Sequence, residues 1–394
     1  MKIGLLGCGV VGSGVYEIIE NQLSPMVSDI EIVKILVKTP EEITSPKMTN
    51  DASEVLENAE IDTIVEAMGG LHPAHEFIVR ALKSGKNVVT ANKAVLAHYM
   101  DEFVGLAKEN HVNLLFEASV GGGVPWIKSL RSAMRIDDIT YVGGVLNGTT
   151  NLILSTMEEQ GISFDKCLKT AQEMGYAEAN PTADIDGIDV RNKIIISTSL
   201  AAKALVREED VMTFGIRTVQ KCDLDYFSSI NKSIRLFADG VIEHGSCCCR
   251  VEPALFSTDA PEASIKLNFN ICTLKGKTIG PLKFIGQGAG KYPTANAIVQ
   301  DVIDINTNNQ SFLPIEINGT ASIDNSLLSG RYYIRFANDQ KAKLLSSFKG
   351  LVDNQFEQGD KNSAIITKDI KTFQLHNLLK GAQLDMDKIF VARL

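Results

Sequence analysis

Short apolar runs alternate with amphipathic stretches through residues 1–115. Lys2–Leu6, Glu31–Val37, Thr63–Ala67 and Asn87–Val89 read as strands, and Tyr16–Gln22, Glu76–Ser84 and Asp101–Glu109 carry helical spacing between them. Apolar strands separated by one-sided helices predict β-α-β crossovers, a parallel sheet and an α/β fold. After Trp126 the rhythm changes. Ile139–Val145 predicts a strand, Asn151–Glu159 and Phe164–Met174 predict helices, and Gly187–Val206 is the longest helix. Arg235–Val241, Ser246–Glu252 and Ile265–Cys272 follow as consecutive strands, so a mixed α+β second domain is expected over 127–281, after a first domain over 1–126. Gly286-Gln-Gly-Ala-Gly290 opens a helix at Thr294–Ile305, which predicts a return to the first domain over 282–306. Residues 307–329, rich in Asn, Ser and Gly, read as a linker. Over 330–394, Tyr332–Phe336, Lys343–Leu351, Ser363–Lys368, Thr372–Ala382 and Lys388–Arg393 spell β, α, β, α, β, with a further strand near Gln355, an order that suits a small ferredoxin-like sandwich.

Length and charge narrow the partners. A chain of 394 residues suits two or three domains. Its 39 basic and 48 acidic residues, net −9, argue against nucleic acid or an anionic membrane surface and leave a small molecule as the expected partner. No apolar run approaches the ~18 residues of a membrane span; the richest, Ile194–Ala202, lies between Lys193 and Lys203. The start, Lys2-Ile-Gly-Leu-Leu-Gly-Cys8, imitates a short signal peptide, but its apolar core is too brief and continues as a patterned helix. Seven cysteines, three adjacent at Cys247–Cys249, show no Cys-x-x-Cys pair. Reduced thiols and a cytoplasmic location are expected, with the triplet buried on a strand or else a metal-binding tract.

Gly7-Cys-Gly9-Val10-Val11-Gly12 follows a strand and opens a helix. In that context the first glycine makes a tight turn, the second admits a pyrophosphate to the backbone, and the third lets helix pack on strand, while the phosphate charge meets free helix-start amides. A dinucleotide-binding domain of Rossmann type is expected; a purely structural glycine turn would use the same letters. Lys38 stands where an acid would bind a ribose 2′-hydroxyl, so it points to NADP, with NAD left open by the neighbouring Glu41 and Glu42. A solvated lysine at a strand end is the plainer reading.

Hydride chemistry on an alcohol also needs a proton carrier and groups that hold the substrate's charges. The stretch from Gly175 to Lys193 supplies Glu178, Asp184, Asp186, Asp189 and one lysine around a helix start. Asp189 and Lys193 are four apart and share a face; on a surface such a pair contributes only ~0.3–0.5 kcal/mol. Ile194, Ile195, Ile196 and Leu200 make this helix apolar over most of its circumference, which sets Lys193 at the margin of a buried surface. With Val89-Thr-Ala-Asn-Lys93, Phe116-Glu-Ala-Ser-Val-Gly-Gly-Gly-Val-Pro125, Asn147-Gly-Thr-Thr-Asn151 and Gly286–Gly290 before Thr294-Ala, these blocks resemble the homoserine dehydrogenase family, in order, over residues 1–305.

That resemblance implies reversible NAD(P)-dependent interconversion of L-homoserine and L-aspartate 4-semialdehyde, a branch step towards threonine, isoleucine and methionine. By position it makes Lys193 the acid/base and Lys93 the lysine at the cofactor–substrate junction. Glu178 would receive the substrate ammonium, Asp184 and Asp189 would line the pocket, and Gly175 and Thr149 would contribute from loops. Gly7, Gly9, Val10, Val11, Gly12, Lys38, Lys93 and Gly290 would hold the cofactor. Glu117, with backbone oxygens of Val120, Gly122 and Val124, would hold a monovalent cation such as sodium. A homodimer or homotetramer paired through the second domain is implied. Plainer roles stand beside these: Asp184 capping the helix near Gly187, Glu178 capping a turn, Asn147–Asn151 a turn with an N-cap, and 120–124 an ordinary glycine turn. Trp126 is bulky and Asn180 replaces an acid at positions where the family differs. The tail resembles an ACT module in element order, yet Ala337-Asn-Asp-Gln-Lys-Ala lacks a Pro-Gly turn, so a structural or oligomer-forming tail competes with an effector-binding one. A non-catalytic cofactor sensor is the rival from another class; retention of both lysines argues against it.

Overall fold

The computed structural model describes residues 1–309 and 314–394. Strands apolar on both faces can be buried only in a sheet covered by helices on both sides, and the first part of the chain builds one. It comprises β1 (Lys2–Leu6), α1 (Val10–Glu20), β2 (Glu31–Leu36), β3 (Met48–Thr49), α2 (Ser53–Leu56), β4 (Thr63–Glu66), α3 (Ala74–Lys83), β5 (Asn87–Thr90), α4 (Lys93–Glu109) and β6 (Leu114–Leu115). Every pair is parallel, in the order β3-β2-β1-β4-β5-β6. Chain order reverses between β1 and β4, and at such a switch point a crevice opens at the carboxyl ends of the strands.

A mixed sheet follows α5 (Trp126–Ala133). β7 (Ile139–Val145) leads to α6 (Gly148–Gln160), α7 (Phe164–Glu173), α8 (Thr182–Ile185) and α9 (Ile188–Ala202); then come β8 (Val211–Thr213), α10 (Lys221–Ser229) and the hairpin β9 (Lys232–Glu243)–β10 (Ser246–Ser257). Helix α9 lies across β7, β9 and β10 and is buried around most of its girth, so its charged residues must find partners inside. The strand expected at Ile265 starts later: Pro261–Ser264 first forms α11, and β11 spans Phe269–Gly276. Its hairpin partner β12 (Gly280–Gln287) has no counterpart in the sequence reading, because glycine and proline interrupt its alternation. The return to the first sheet therefore begins after Gln287 rather than at 282. It is made by α12 (Lys291–Asn306), whose Ala295 abuts Gly14 of α1 and whose Lys291 Nζ lies 2.7 Å from Glu17 Oε1.

Of the expected linker, residues 310–313 lie outside the described residues. The part that follows is bound, not free: the Leu205 amide donates to the Gly319 carbonyl, the Ala321 amide to the Leu205 carbonyl, and β13 (Ser322–Ile323) pairs with β10. Then come β14 (Ser329–Gly330), β15 (Tyr332–Ala337), α13 (Lys341–Ser347), β16 (Val352–Glu357), β17 (Asn362–Thr367), β18 (Ile370–Lys371), α14 (Thr372–Gly381) and β19 (Ile389–Arg393), with β16 where the extra strand near Gln355 was expected. The larger sheet runs β12-β11-β7-β9-β10-β19-β15-β17-β16, so the tail continues it. Charge is buried at the seam: Arg393 Nε donates to Glu252 Oε1 and Arg393 Nη2 to Asp239 Oδ2, both at 2.8 Å. On the tail's other face α10 packs against β15, where the Asp223 carboxylate accepts from Arg335 Nε and the Tyr333 hydroxyl. All seven cysteines are free, and burial pushes the Cys248 and Cys272 thiols up to about 12. Among the described residues, no helix is long and apolar enough to cross a membrane.

Candidate active site

The turn after β1 shows why its letters are glycines. Gly7 has φ +95°, and a methyl group on Gly12 would sit 2.0 Å from the Gly7 carbonyl oxygen, so turn and helix close on each other. At Gly9 a side chain would meet nothing within 4 Å, and Gly9 offers α1 no side-chain cap. The helix-start amides, Val10 and Val11 among them, are left with the positive end of the helix dipole. Gly290 precedes α12, which packs on α1. Lys38 lies exposed beyond β2, its amide 3.4 Å from Glu42 Oε2.

The loop after β5 opens on the same edge of the sheet. Thr90 Oγ1 donates to Glu66 Oε2 (2.5 Å), Asn92 Nδ2 donates to the Gly70 carbonyl (2.7 Å), and Asn92 Oδ1 caps α4 through the Val95 amide. Lys93 is thus the first residue of α4, and its Nζ lies 2.9 Å from Asp189 Oδ1. Lys193, one turn along α9, places Nζ 2.8 Å from the other oxygen of the same carboxylate and donates to the Leu146 carbonyl at 2.6 Å. Asn147 Nδ2 reaches both Asp189 Oδ2 (2.8 Å) and Asp184 Oδ1 (2.7 Å). Asp184 lies within α8, so it is not the cap of α9, whose N-cap is Gly187. Thr149 Oγ1 donates to the Tyr176 carbonyl beside Gly175, and Gln172 Nε2 to the Glu178 carbonyl; Gly175 and Glu178 are on an exposed loop, and the Glu178 charge is felt at Lys93.

Electrostatics tie the cluster together. Burial opposes the Asp189 charge, but the two ammoniums outweigh it and hold that carboxyl well below the usual carboxylate range. In return Asp189 is the largest influence on Lys93, keeping its ammonium above the ordinary lysine range against desolvation, with smaller help from Asp184 and Glu178. Asp184 moves the other way, raised by burial and then by Asp189.

Glu117 is buried and caps α5: Oε1 accepts from the Ile127 amide (3.0 Å) and Oε2 from the Lys128 amide (2.7 Å). Burial, followed by the neighbouring Asp301, pushes its carboxyl up to about 8. Of the other expected cation ligands, the Val124 carbonyl already accepts from the Trp126 amide, while Val120 and Gly122 flank the same turn. Trp126 itself fills the space against α9, its Nε1 donating to Ser197 Oγ at 2.9 Å.

A family profile described as "Homoserine dehydrogenase, NAD binding domain" matches residues 7–117, and one described as "Homoserine dehydrogenase" matches residues 125–303. The homoserine dehydrogenase of Synechocystis sp. is 42% identical over 316 residues, covering 77% of this chain and 73% of that protein. The chain belongs to the homoserine dehydrogenase family. The homoserine dehydrogenase of Bacillus subtilis is 34% identical over 317 residues, 78% of this chain and 73% of its own. A solved homoserine dehydrogenase from Thiobacillus denitrificans matches with a TM-score of 0.86 at 30% identity, over 100% of this chain and 98% of that one. A hyperthermophilic archaeal homoserine dehydrogenase in complex with NADPH matches with a TM-score of 0.69 at 26% identity, over 80% and 99%. The activity is the reversible, NAD(P)-dependent interconversion of L-homoserine and L-aspartate 4-semialdehyde. The parallel sheet is the Rossmann-like NAD-binding domain, and the mixed sheet carries the catalytic domain.

One residue of this homoserine dehydrogenase site escapes a reading of the sequence, and a second shows only part of its role there. Glu66 closes the strand Thr-Ile-Val-Glu66, fully buried; its carboxylate accepts from Thr90 and from the Met68 amide (2.8 Å), joining the loops after β4 and β5. A lone acid ending an apolar strand was the available signal. Asn147 was visible as an N-cap, and its Oδ1 does accept from the Thr150 amide at 2.8 Å, but nothing in the letters reveals that its other end bridges two carboxylates.

Proposed function

We propose that Lys193 moves the proton of the dehydrogenase reaction, with Lys93 as its electrostatic partner and Asp189 fixing both. The observation that carries this is one buried carboxylate holding two lysine nitrogens at 2.8 and 2.9 Å. An ammonium has three N–H donors; Lys193 gives one to Asp189 and one to the Leu146 carbonyl, which leaves the third for a substrate oxygen. The nicotinamide cofactor, when bound, accepts or delivers the hydride. In the reducing direction Lys193 Nζ hands its third proton to the oxygen as negative charge grows there, and in oxidation it takes the hydroxyl proton. Lys93, kept charged by Asp189, adds positive potential at the same place. Glu178 meets the substrate ammonium at the pocket rim, Asp184 lines the pocket, and Thr149 anchors the loop carrying Gly175.

The cofactor's pyrophosphate belongs at Gly7, Gly9, Gly12 and the amides of Val10 and Val11, bordered by Gly290. Lys38, with no acid at the strand tip, favours NADP over NAD. We infer a monovalent cation, sodium by the hardness of the oxygen donors, at Glu117 with the Val120, Gly122 and Val124 oxygens; support comes from the buried Glu117 carboxylate lying beside the buried Asp301. The tail's sheet order, β19-β15-β17-β16, supports an ACT-like, ferredoxin-like module, and its continuity with the catalytic sheet supports a structural role for it. We also infer a cytoplasmic homodimer or homotetramer serving threonine, methionine and isoleucine synthesis. The test of the central reading is Lys193→Ala: turnover of homoserine is lost while the dissociation constant for NADP+ stays near that of the parent. Substantial residual turnover removes Lys193 from this role.

A further inference from the structure

His72, His75 and Glu76 lie at the start of α3, and one ligand atom from each is within 4.8 Å of the other two. We propose that these three side chains form a binding site for a divalent ion of the zinc class. Two imidazoles and one carboxylate are the donor set that zinc, nickel and copper select, whereas magnesium and calcium take all-oxygen sites. Zinc bonds of ~2.0–2.1 Å in a tetrahedron place ligand atoms roughly 3.4 Å apart, so the cluster needs to contract only modestly. The side chains of His72 and Glu76 are 61% and 51% exposed and are free to rotate that far. His72 Nδ1 already lies 2.7 Å from Glu76 Oε1.

His75 is held for the task. Glu102 of α4 places Oε2 2.7 Å from its Nε2, and the ring packs at a tilt against Tyr99 with centroids 4.1 Å apart. A carboxylate behind a histidine is the arrangement that orients metal-bound imidazoles and raises their basicity. The fourth position faces solvent and takes water.

The site also has a place in the fold. It terminates the turn after Glu66, and the Gly70 carbonyl within that turn accepts from Asn92, the residue that caps α4 immediately before Lys93. An ion at His72, His75 and Glu76 therefore braces the turn beside the catalytic loop without touching the lysines.

Titration of the chelator-treated full-length protein with ZnCl2 by calorimetry tests this. One ion per chain is expected, with His72→Ala and Glu76→Gln each weakening binding about tenfold or more and Glu102→Gln weakening it less. Homoserine oxidation in zinc-free buffer stays at the parent rate in His72→Ala and Glu76→Gln, which shows that these exposed substitutions leave the fold intact. Binding of equal strength in parent and variants, which would put zinc on the thiols or on other carboxylates, overturns the proposal. So does the absence of binding below millimolar zinc.

Discussion

Replacing Asp189 with Asn keeps the shape of the side chain and removes the single charge that two lysines share. Both ion pairs, at 2.9 Å to Lys93 and 2.8 Å to Lys193, lose their charge, and one of the two oxygens that accept from Lys93, Lys193 and Asn147 becomes an amide donor. Removing one partner of a buried ion pair costs about 3–5 kcal/mol. Lys93, with 43% of its side chain exposed, can turn to solvent and relieve its share, whereas Lys193, at 9%, cannot. The loss therefore falls on the orientation of the proton-transferring nitrogen. A loss of about 3–4 kcal/mol of transition-state stabilisation corresponds to a kcat lower by about 10²–10³. The assay is the initial rate of reduced-nicotinamide formation at saturating homoserine and NADP+, with a thermal melt to confirm folding. The KM for NADP+ should stay within about twofold, since the contacts of Asp189 are to Lys93, Lys193 and Asn147 and its charge acts on the chemical step. A folded variant with kcat within about fivefold of the parent would refute the reasoning.

Other substitutions separate binding from chemistry. Glu178→Gln removes an exposed contact to the substrate ammonium, so the homoserine KM should rise about fivefold, the equivalent of ~1 kcal/mol, with kcat little changed; an unaltered KM would remove Glu178 from the substrate site. Lys38→Asp should move the ratio of kcat/KM values towards NAD+ by about tenfold, and an unchanged ratio would refute selection at this position. His376, tilted against Phe214 with ring centroids 4.0 Å apart, is held down to about 4 by burial and then by Lys380. The unfolded ring takes its proton near ~6.5. The stability present above that pH is therefore lost progressively as pH falls through about 4, up to roughly 3 kcal/mol at 1.36 kcal/mol per unit. Thermal melts at pH 7 and pH 5 should differ less in His376→Gln than in the parent, and equal differences would contradict this.

Local rules made much of the molecule legible. The glycines after β1 are dictated by contacts within six residues of one another, as the Gly7–Gly12 approach shows. Asp189 and Lys193 lie one helical turn apart, so their pairing could be anticipated from spacing. Other features depend on distant chain. Asn147 meets Asp184 and Asp189 across 37 and 42 residues, and Lys93 meets Asp189 across nearly 100, through a fold that only the assembled sheets determine. Glu117 shows the same limit: its letters suit a cation ligand, and they do not reveal that its carboxylate also accepts from the Ile127 and Lys128 amides at the start of α5. The tail's strand pattern was readable, but its alignment with β10 through Arg393, Glu252 and Asp239 was not, because a strand edge carries no mark of its partner. Strand β12 was hidden by Gly280, Pro281 and Gly286, which weaken alternation without preventing pairing.

The proton role of Lys193 is tested most directly by chemical rescue. Lys193→Ala leaves a cavity between Asp189 and the Leu146 carbonyl of the size of an amine head group, and a small primary amine supplied in solution can restore the missing N–H donors. Homoserine oxidation by this variant should be nearly absent in buffer and should rise with methylamine concentration to saturation, while methanol, of similar size but without a basic nitrogen, has no effect. Activity that ignores methylamine, or that responds equally to methanol, would contradict proton transfer at this nitrogen.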